Sequence, residues 1–452
     1  MLWTATFTRY FVARAVSVFG DAMLTVAAAL AVGRVYGATG VGVVLAAWMV
    51  PFLGFILFGG VFADRIGARP LMLGADVVRT VTQAVVAVAF FTGTPALWLL
   101  VACSAVSGTA AAMFQPGVNG IVPQVATDPH RANATIRMAN AVAELLGPAV
   151  AGILFGFFGA GPVYAVDAAT FAISALCLAG LRVDKVSRAA NSTLRDLRDG
   201  WHEFRSRTWI WSVILVWVFF GVFLFGPLIP LGAVLVSDGL GAPAYGWMQS
   251  AVGAGTILGG LTALRLKAHR PLAAGAVVLF GFMLLPLAIA LHAGLPALLA
   301  AAAVNGFAWA FWSIQWQTSV QTQVPPDVLN RVTSYEVLGS TGSLPIGQAL
   351  AGPVAAVAGA ERVLGTSVVV GVLGCAALLL IPAVRGLRRA GEAEQGLRRA
   401  GEAEQGLRRA GEAEQGLRRA GEADYSAGDA AGVPSSASLP AASTRRVRRG
   451  EP

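Results

Sequence analysis

"GGVFADRIGARPLMLGADVV" occupies residues 59–78, and "GGLTALRLKAHRPLAAGAVV" occupies 259–278. The two align at an offset of 200 with one extra residue in the turn. Gly59–Gly60 match Gly259–Gly260, Arg65 matches Arg265, and "RPL" at 69–71 matches "RPL" at 270–272. In both copies an apolar run ends on paired glycines, crosses an arginine-bearing turn and enters a second apolar run. Further echoes join "QPGVNGIVPQVATDPHRANA" (115–134) to "QTQVPPDVLNRVTS" (321–334), and "GPAVAG" (147–152) to "GQALAGPVAAVAG" (347–359). One structural unit is used twice.

The apolar runs are lipid-facing. Of 452 residues, 56% are hydrophobic and only 13% charged, at a mean hydropathy of +0.68, against about a quarter charged in soluble chains. Runs long enough to cross a bilayer, about 20 residues each, fall near 11–33, 40–62, 70–91, 97–118, 134–157, 161–182, 209–235, 245–265, 272–292, 295–318, 332–357 and 362–384. Alternate connections carry Arg65 and Arg69, His130 and Arg131, the basic link 183–208, Arg265, Lys267 and Arg270, and Arg331. The opposite set, "GATG" (37–40), "TGTP" (92–95), "GAGP" (159–162), "SDGLGAP" (237–243), "HAGLP" (292–296) and "AGAE" (358–361), is nearly uncharged. Positive loops stay cytoplasmic, so twelve spans with both termini inside the cell membrane are expected. No cleavable leader is read at the start, because the first apolar run carries Arg14 and Asp21. The net charge of +9 follows these loops and calls for no nucleic acid. Cys103, Cys177 and Cys375 lie in apolar runs with no metal spacing and read as small packing residues.

The expected fold is therefore an all-α polytopic membrane protein of two pseudo-symmetric six-helix bundles, 1–182 and 209–384. The link 183–208 contains "LRDLRDGWHEFRSR" (194–207), whose Leu194, Leu197, Trp201 and Phe204 share one helical face, as an interfacial amphipathic helix would. A solvated linker is the plain alternative. After Arg385 comes a cytoplasmic tail, 385–452, with "GLRRAGEAEQ" at 386–395, 396–405 and 406–415 and a truncated copy at 416–424. Each copy has a single apolar anchor, too little for a packed core.

Repeated six-helix halves suit a transporter that holds a polar site between two bundles and rocks about it. A channel needs no such halves. An enzyme needs convergent nucleophiles or metal ligands, and neither these nor a phosphate-binding glycine loop is found. No cofactor and no metal are expected; protons, lipid and a small-molecule cargo are, for a chain acting as a monomer.

The turn "GGVFADRIGARP" (59–70) resembles the loop signature of the major facilitator superfamily, Gly-x-x-x-Asp-Arg-x-Gly-x-Arg, at Gly60, Asp64, Arg65, Gly67 and Arg69. Within that superfamily the chain resembles the subgroup of bacterial twelve-helix exporters of macrolides, other drugs and siderophores. "SVFGDAM", "GADVVR", "FQPGVNGIVP", "YAVDAATFAISAL" and "NRVTS" add to the resemblance. It implies an ionic latch between bundles at Asp64, made in the outward-open state. Bottom-up, Gly60 permits close helix approach, Asp64 can face a helix N-terminus, and Arg65 and Arg69 anchor the loop at the inner lipid surface. Arginines kept only for topology are the plain alternative. "AELLGPAVAG" (143–152) resembles the superfamily's fifth-helix antiporter signature at Gly147, Pro148 and Gly152, with Ala143 and Ala151 replacing two glycines. A merely kinked helix is the alternative there. The family's fourth-helix arginine is missing from "WLLVACSAVSGTAAAMF" (98–114).

Ionisable residues inside spans are functional suspects by default. Asp21 and Glu144, in spans that line the first-half cavity in this family, are the proton-coupling candidates. Arg14 shares a face with Asp21. Asp76 and Arg79, three apart, are expected as a structural pair, and Asp167 as a bond to a neighbouring helix. Asn305, Trp309, Trp312, Gln315 and Trp316, with Gln317, form the candidate cargo surface of the tenth span, suited to a large amphipathic ligand. Lipid-facing aromatics are the alternative, and the preferred one for the tryptophans of the seventh span. The expected function is proton-coupled export of a hydrophobic or amphipathic small molecule. The alternatives are an uptake symporter on the same fold and a non-transporting scaffold or sensor.

Overall fold

The computed structural model describes residues 3–126, 129–181, 205–266, 268–325, 335–336 and 338–387, with position 415. The helices belong to one compact unit, Met1–Ala390, and the described residues contain no strand. Most of the amphipathic segment read at 194–207 and the repeat tail beyond 387 lie outside the described residues.

The first helix, α1, runs Ala5–Ile66. A straight helix of 62 residues would reach about 93 Å at 1.5 Å per residue, three times the hydrocarbon thickness. The chain instead reverses at Gly37, where φ is 61° and ψ −167°, a conformation strained for any residue with a Cβ. Two spans therefore share one helix label. The next helices are α2 (Ala68–Thr92), α3 (Leu97–Val125), α4 (Pro129–Phe158) and α5 (Ala160–Ala179). The second half supplies α6 (Thr208–Phe220), α7 (Gly226–Leu240), α8 (Ala242–Arg265), α9 (Pro271–Leu279), α10 (Leu284–Ala290), α11 (Leu295–Gln323), α12 (Leu344–Ala358), α13 (Ala360–Leu380) and the short α14 (Pro382–Arg385). Nine helical stretches among the described residues are long and apolar enough to cross a membrane. Dividing the first at Gly37 and adding α8 and α12 gives the twelve read from the sequence. All six charge-poor connections turn on a residue of positive φ: Gly37, Gly93, Gly159, Gly241, His292 and Gly359.

Two spans expected as continuous helices are broken. A π-helical turn, Gly221–Phe225, joins α6 to α7, and a 3-10 turn, Phe280–Met283, joins α9 to α10. Proline explains both. Pro227 and Pro286 have no N–H to give the carbonyls four residues back, at Phe223 and Phe282. Neighbouring spans supply the missing donors: Ser367 Oγ donates to Phe223 O at 2.6 Å, and Asn305 Nδ2 to Phe282 O at 3.1 Å. In lipid, such freed carbonyls must find partners within the protein.

Glycines set the distances between spans. In the second half, α8 meets α11 where Gly259 lies on the Phe307 backbone and Gly306 on that of Val252, leaving no room for a Cβ at either position. In the first half, Gly108 meets the Trp48 backbone in the same way, so the duplicated pattern becomes duplicated packing.

Three apolar clusters divide the protein. One lies toward the charge-poor end and mixes both halves, with Val32, Val41, Leu100, Phe155 and Tyr164 beside Val236, Tyr245, Ile289, Leu298 and Leu364. The other two lie toward the arginine-bearing end and do not mix. Ile210, Leu272, Trp316, Val320 and Leu378 belong to the second half alone, and Phe7, Tyr10, Met72, Ile121 and Leu178 to the first alone. Among the described residues, the halves share a core at one end only.

Candidate functional site

The shared end is sealed by two seams. In the first, α4 crosses α8. A Cβ at Gly152 would stand 2.8 Å from Gly246 Cα, and one at Gly246 would stand 2.7 Å from Pro148 O. The Ala149 N–H, next to the kinking proline, donates to Ser250 Oγ of α8 at 3.0 Å. Gly147 faces the other way, onto α1, where an added Cβ would stand 2.8 Å from the Ala22 Cβ. In the second seam, Gly42 of α1 lies on the Gln348 backbone of α12, and Gly352 lies on Thr39. Pro148 and Gly152 thus meet α8 of the other half, while Gly147 packs within its own half.

At the opposite end, α1 continues as helix to Ile66, while the side chains of Gly60, Asp64 and Arg65 lie outside the described residues. Gly67 has φ 103° and separates α1 from α2. Arg69 finds partners at the end of α5 that the sequence did not reveal. Nε donates to Leu178 O at 2.9 Å, Nη2 donates to Ala179 O, and Arg9 Nη1 donates to Gly180 O at 3.1 Å. The reason is that the last carbonyls of α5 have no intrahelical partners and carry the negative end of the helix dipole.

Inside the first half, the charges form one cluster rather than separate pairs. Arg79 of α2 donates to Asp21 Oδ1 of α1, and its other contact, to Asp76 Oδ1, is longer at 3.8 Å. Its guanidinium lies 3.7 Å over the Phe171 ring. Ser174 Oγ donates to Asp76 Oδ2. Asp76 and Arg79 are therefore not a self-contained pair, because spacing along one helix cannot reveal a carboxylate arriving from another. Arg14, expected on a face with Asp21, makes no ion pair with it among the described contacts and lies 5.6 Å from the Phe114 ring. Asp167 is fully buried, and neither carboxylate oxygen has a hydrogen-bond partner. The expected bond to a neighbouring helix is absent there; the carboxylate instead abuts the bare backbone of Gly20. Glu144 is exposed and stands apart from this cluster, with its backbone carbonyl against Gly253 of α8.

The second half holds a cavity of about 540 Å³, within the usual size of a small-molecule site. Asn305, Trp309, Trp312 and Trp316 line it, at spacings of four, three and four that place them on one stripe of α11. Gln315 falls off that stripe. It is buried toward α9, near Gly275, and lines a separate small cavity with Ala263 and Thr318. Gln317 does line the larger cavity. The preference for lipid-facing tryptophans in the seventh span fails at Trp217, which lines the cavity and packs against Phe225 (5.1 Å), Trp309 (5.5 Å) and Trp312 (6.0 Å). Trp211 in the same span is exposed. The π-turn and the 3-10 turn bring Phe225 and Phe282 into the same wall. Sequence reasoning missed Glu336, which lines the cavity and accepts the Trp316 indole N–H. Its signal was available, as an acid inside the apolar run 332–357. No group of three His, Cys, Asp or Glu suited to a metal occurs among the described residues.

The family model described as Major Facilitator Superfamily matches residues 10–344. Macrolide efflux protein A of Streptococcus pyogenes is 23% identical over 363 residues, covering 76% of this chain and 88% of the relative. The multidrug efflux pump Tap of Mycolicibacterium fortuitum is 27% identical over 370 residues, covering 77% and 89%. Among solved structures, the nucleoside transporter NupG superposes with a TM-score of 0.70 at 15% identity, covering 83% of this chain and 99% of that one.

Proposed function

This chain belongs to the Major Facilitator Superfamily, and on that premise we propose that it exports hydrophobic or amphipathic small molecules across the cell membrane in exchange for protons. The observation that carries the reading is the division of the core: the halves are fused at the charge-poor end and have separate cores at the arginine-bearing end. With the arginines inside, both termini are cytoplasmic and the described conformation is open to the cytoplasm. The bundles 1–182 and 209–384 act as the two rocking bodies, the link 183–208 joins them, and 385–452 is a cytoplasmic tail. Export, rather than uptake, is supported by the efflux proteins among the relatives and by the proline-kinked α4 seam.

In this scheme the aromatic cavity takes the cargo and the first-half cluster takes the proton. Asp21 holds Arg79 when ionised and releases it when protonated, so proton loading loosens the contact between α1 and α2. Arg79, from the third span, stands in for the missing fourth-helix arginine. Glu144 serves as a second, more exposed carboxylate. Asp64 latches the cytoplasmic ends in the opposite, outward-open state, and the chain works as a monomer.

The test is expression in an efflux-deficient bacterium with resistance and dye retention screened across amphipathic compounds. Lower accumulation that a protonophore abolishes is the expected result. Accumulation above the vector control, driven by the same gradient, would establish uptake, and no change for any compound would remove the transport reading.

A further inference from the structure

We propose that the second-half cavity is a cage for lipophilic cations, with Glu336 as the countercharge and Trp217, Trp309, Trp312 and Trp316 as the aromatic wall. The proposal rests on the reading of the chain as a transporter of amphipathic molecules and narrows their class.

Glu336 is the only ionisable side chain that lines the cavity among the described residues. Its one described partner is a neutral donor, the Trp316 indole N–H, which engages a single carboxylate oxygen. No Arg, Lys or His among the described residues forms an ion pair with it. A half-buried carboxylate held this way keeps lone pairs on both oxygens free for a further donor, and in a low-dielectric wall it favours an opposite charge. The other polar groups around it are neutral: Ser313, Gln317, Ser340 and Thr341, with Asn305 giving its amide hydrogen to Phe282 O. An anion would meet the Glu336 charge with no arginine or lysine among the described lining residues to offset it. A neutral ligand would displace water from the carboxylate without replacing its hydrogen bonds.

The aromatic groups point to the same class. Trp217 and Trp309 meet at 69° and 5.5 Å, forming a corner in the wall, and Trp309 is 41% exposed. Indole has the strongest attraction of the aromatic side chains for a cation placed over its ring. An onium or protonated-amine centre beside Glu336, with an apolar body against Phe225, Phe282 and the tryptophans, satisfies charge and apolar surface together.

The test uses full-length protein in lipid nanodiscs and two probes of similar size, methyltriphenylphosphonium and neutral triphenylphosphine oxide, with binding read by calorimetry. Wild type should bind the phosphonium at least about tenfold more tightly, the scale of one opposite-charge contact in a partly solvated site. Glu336→Gln should lose about tenfold or more for the phosphonium while binding of the oxide stays within about twofold, which also reports an intact fold. Equal binding of both probes by wild type overturns the proposal, as does undiminished phosphonium binding by Glu336→Gln. Should the variant lose both probes, the wild-type ratio alone decides. Glu336-dependent phosphonium binding without proton-driven accumulation of any tested compound in inverted vesicles would sink the export reading and leave the cage standing. Accumulation of the oxide in those vesicles with no Glu336-dependent binding of the phosphonium would do the reverse.

Discussion

Ser250 of one half accepts a hydrogen bond at 3.0 Å from the backbone amide of Ala149 in the other. The contact falls beside Pro148, which lies inside α4 where that helix meets α8. It ties the seam closed in the described conformation, and the proposed rocking of the bundles requires it to break.

Replacing Ser250 with Ala removes this acceptor and should weaken the closed seam by about 1 kcal/mol, the net value of one such bond. In a background lacking Cys103, Cys177 and Cys375, a cysteine placed at Thr341 should then react faster with an impermeant reagent added on the charge-poor side. An unchanged rate would show that the bond does not bias the two states.

Larger side chains at the seams should act more strongly. Gly42→Val and Gly246→Val place atoms where the backbones of Gln348 and Pro148 already lie, and overpacking of this kind costs about 1–3 kcal/mol. Transport should fall at least tenfold, by about the factor that 1.4 kcal/mol represents, with membrane insertion retained. Gly54→Val is the control, since nothing lies within 4 Å of its Cβ position. Equal effects at all three positions would contradict a seam-specific role.

Asp21→Asn removes the partner of Arg79 that Asp76, at 3.8 Å, does not replace. Loss of pH-driven efflux is expected, with binding of a neutral probe in the second half preserved. Arg79→Ala leaves Asp21 and Asp76 without their cation and should destabilise the protein by about 3 kcal/mol or more, read as an earlier thermal transition in detergent. Coupling that survives Asp21→Asn and Glu144→Gln alike would discard the coupling assignment.

Arg69→Ala should lower thermal stability by about 1–2 kcal/mol, because two terminal carbonyls of α5 lose a charged donor. Arg69→Lys should restore only part of it, since a point charge cannot bridge both carbonyls as the planar guanidinium does. Full recovery with Lys would indicate a role in topology alone.

Much of this protein was legible before folding was considered. Composition placed it in lipid, the repeat at 59–78 and 259–278 announced two like halves, and Gly-containing links free of Lys and Arg marked the turns that Gly37, Gly159, Gly241 and Gly359 make. Asn305, Trp309, Trp312 and Trp316 were legible from the aromatic and amide residues of their span, a reading that also included Gln315, which lines a separate cavity. Glu336 was equally visible as an acid in an apolar run and was passed over.

What sequence could not supply were relations between helices. Which carboxylate meets Arg79, which end of α5 Arg69 caps, and that Asn305 and Ser367 repair carbonyls freed by Pro286 and Pro227 depend on spans far apart in the chain. Hydrophobic patterning reports whether a side chain prefers lipid or protein, a property of one residue and its helix face. Pairing depends on the rotation and separation of two helices, which glycine contacts such as Gly152 on Gly246 fix only once the bundle is packed.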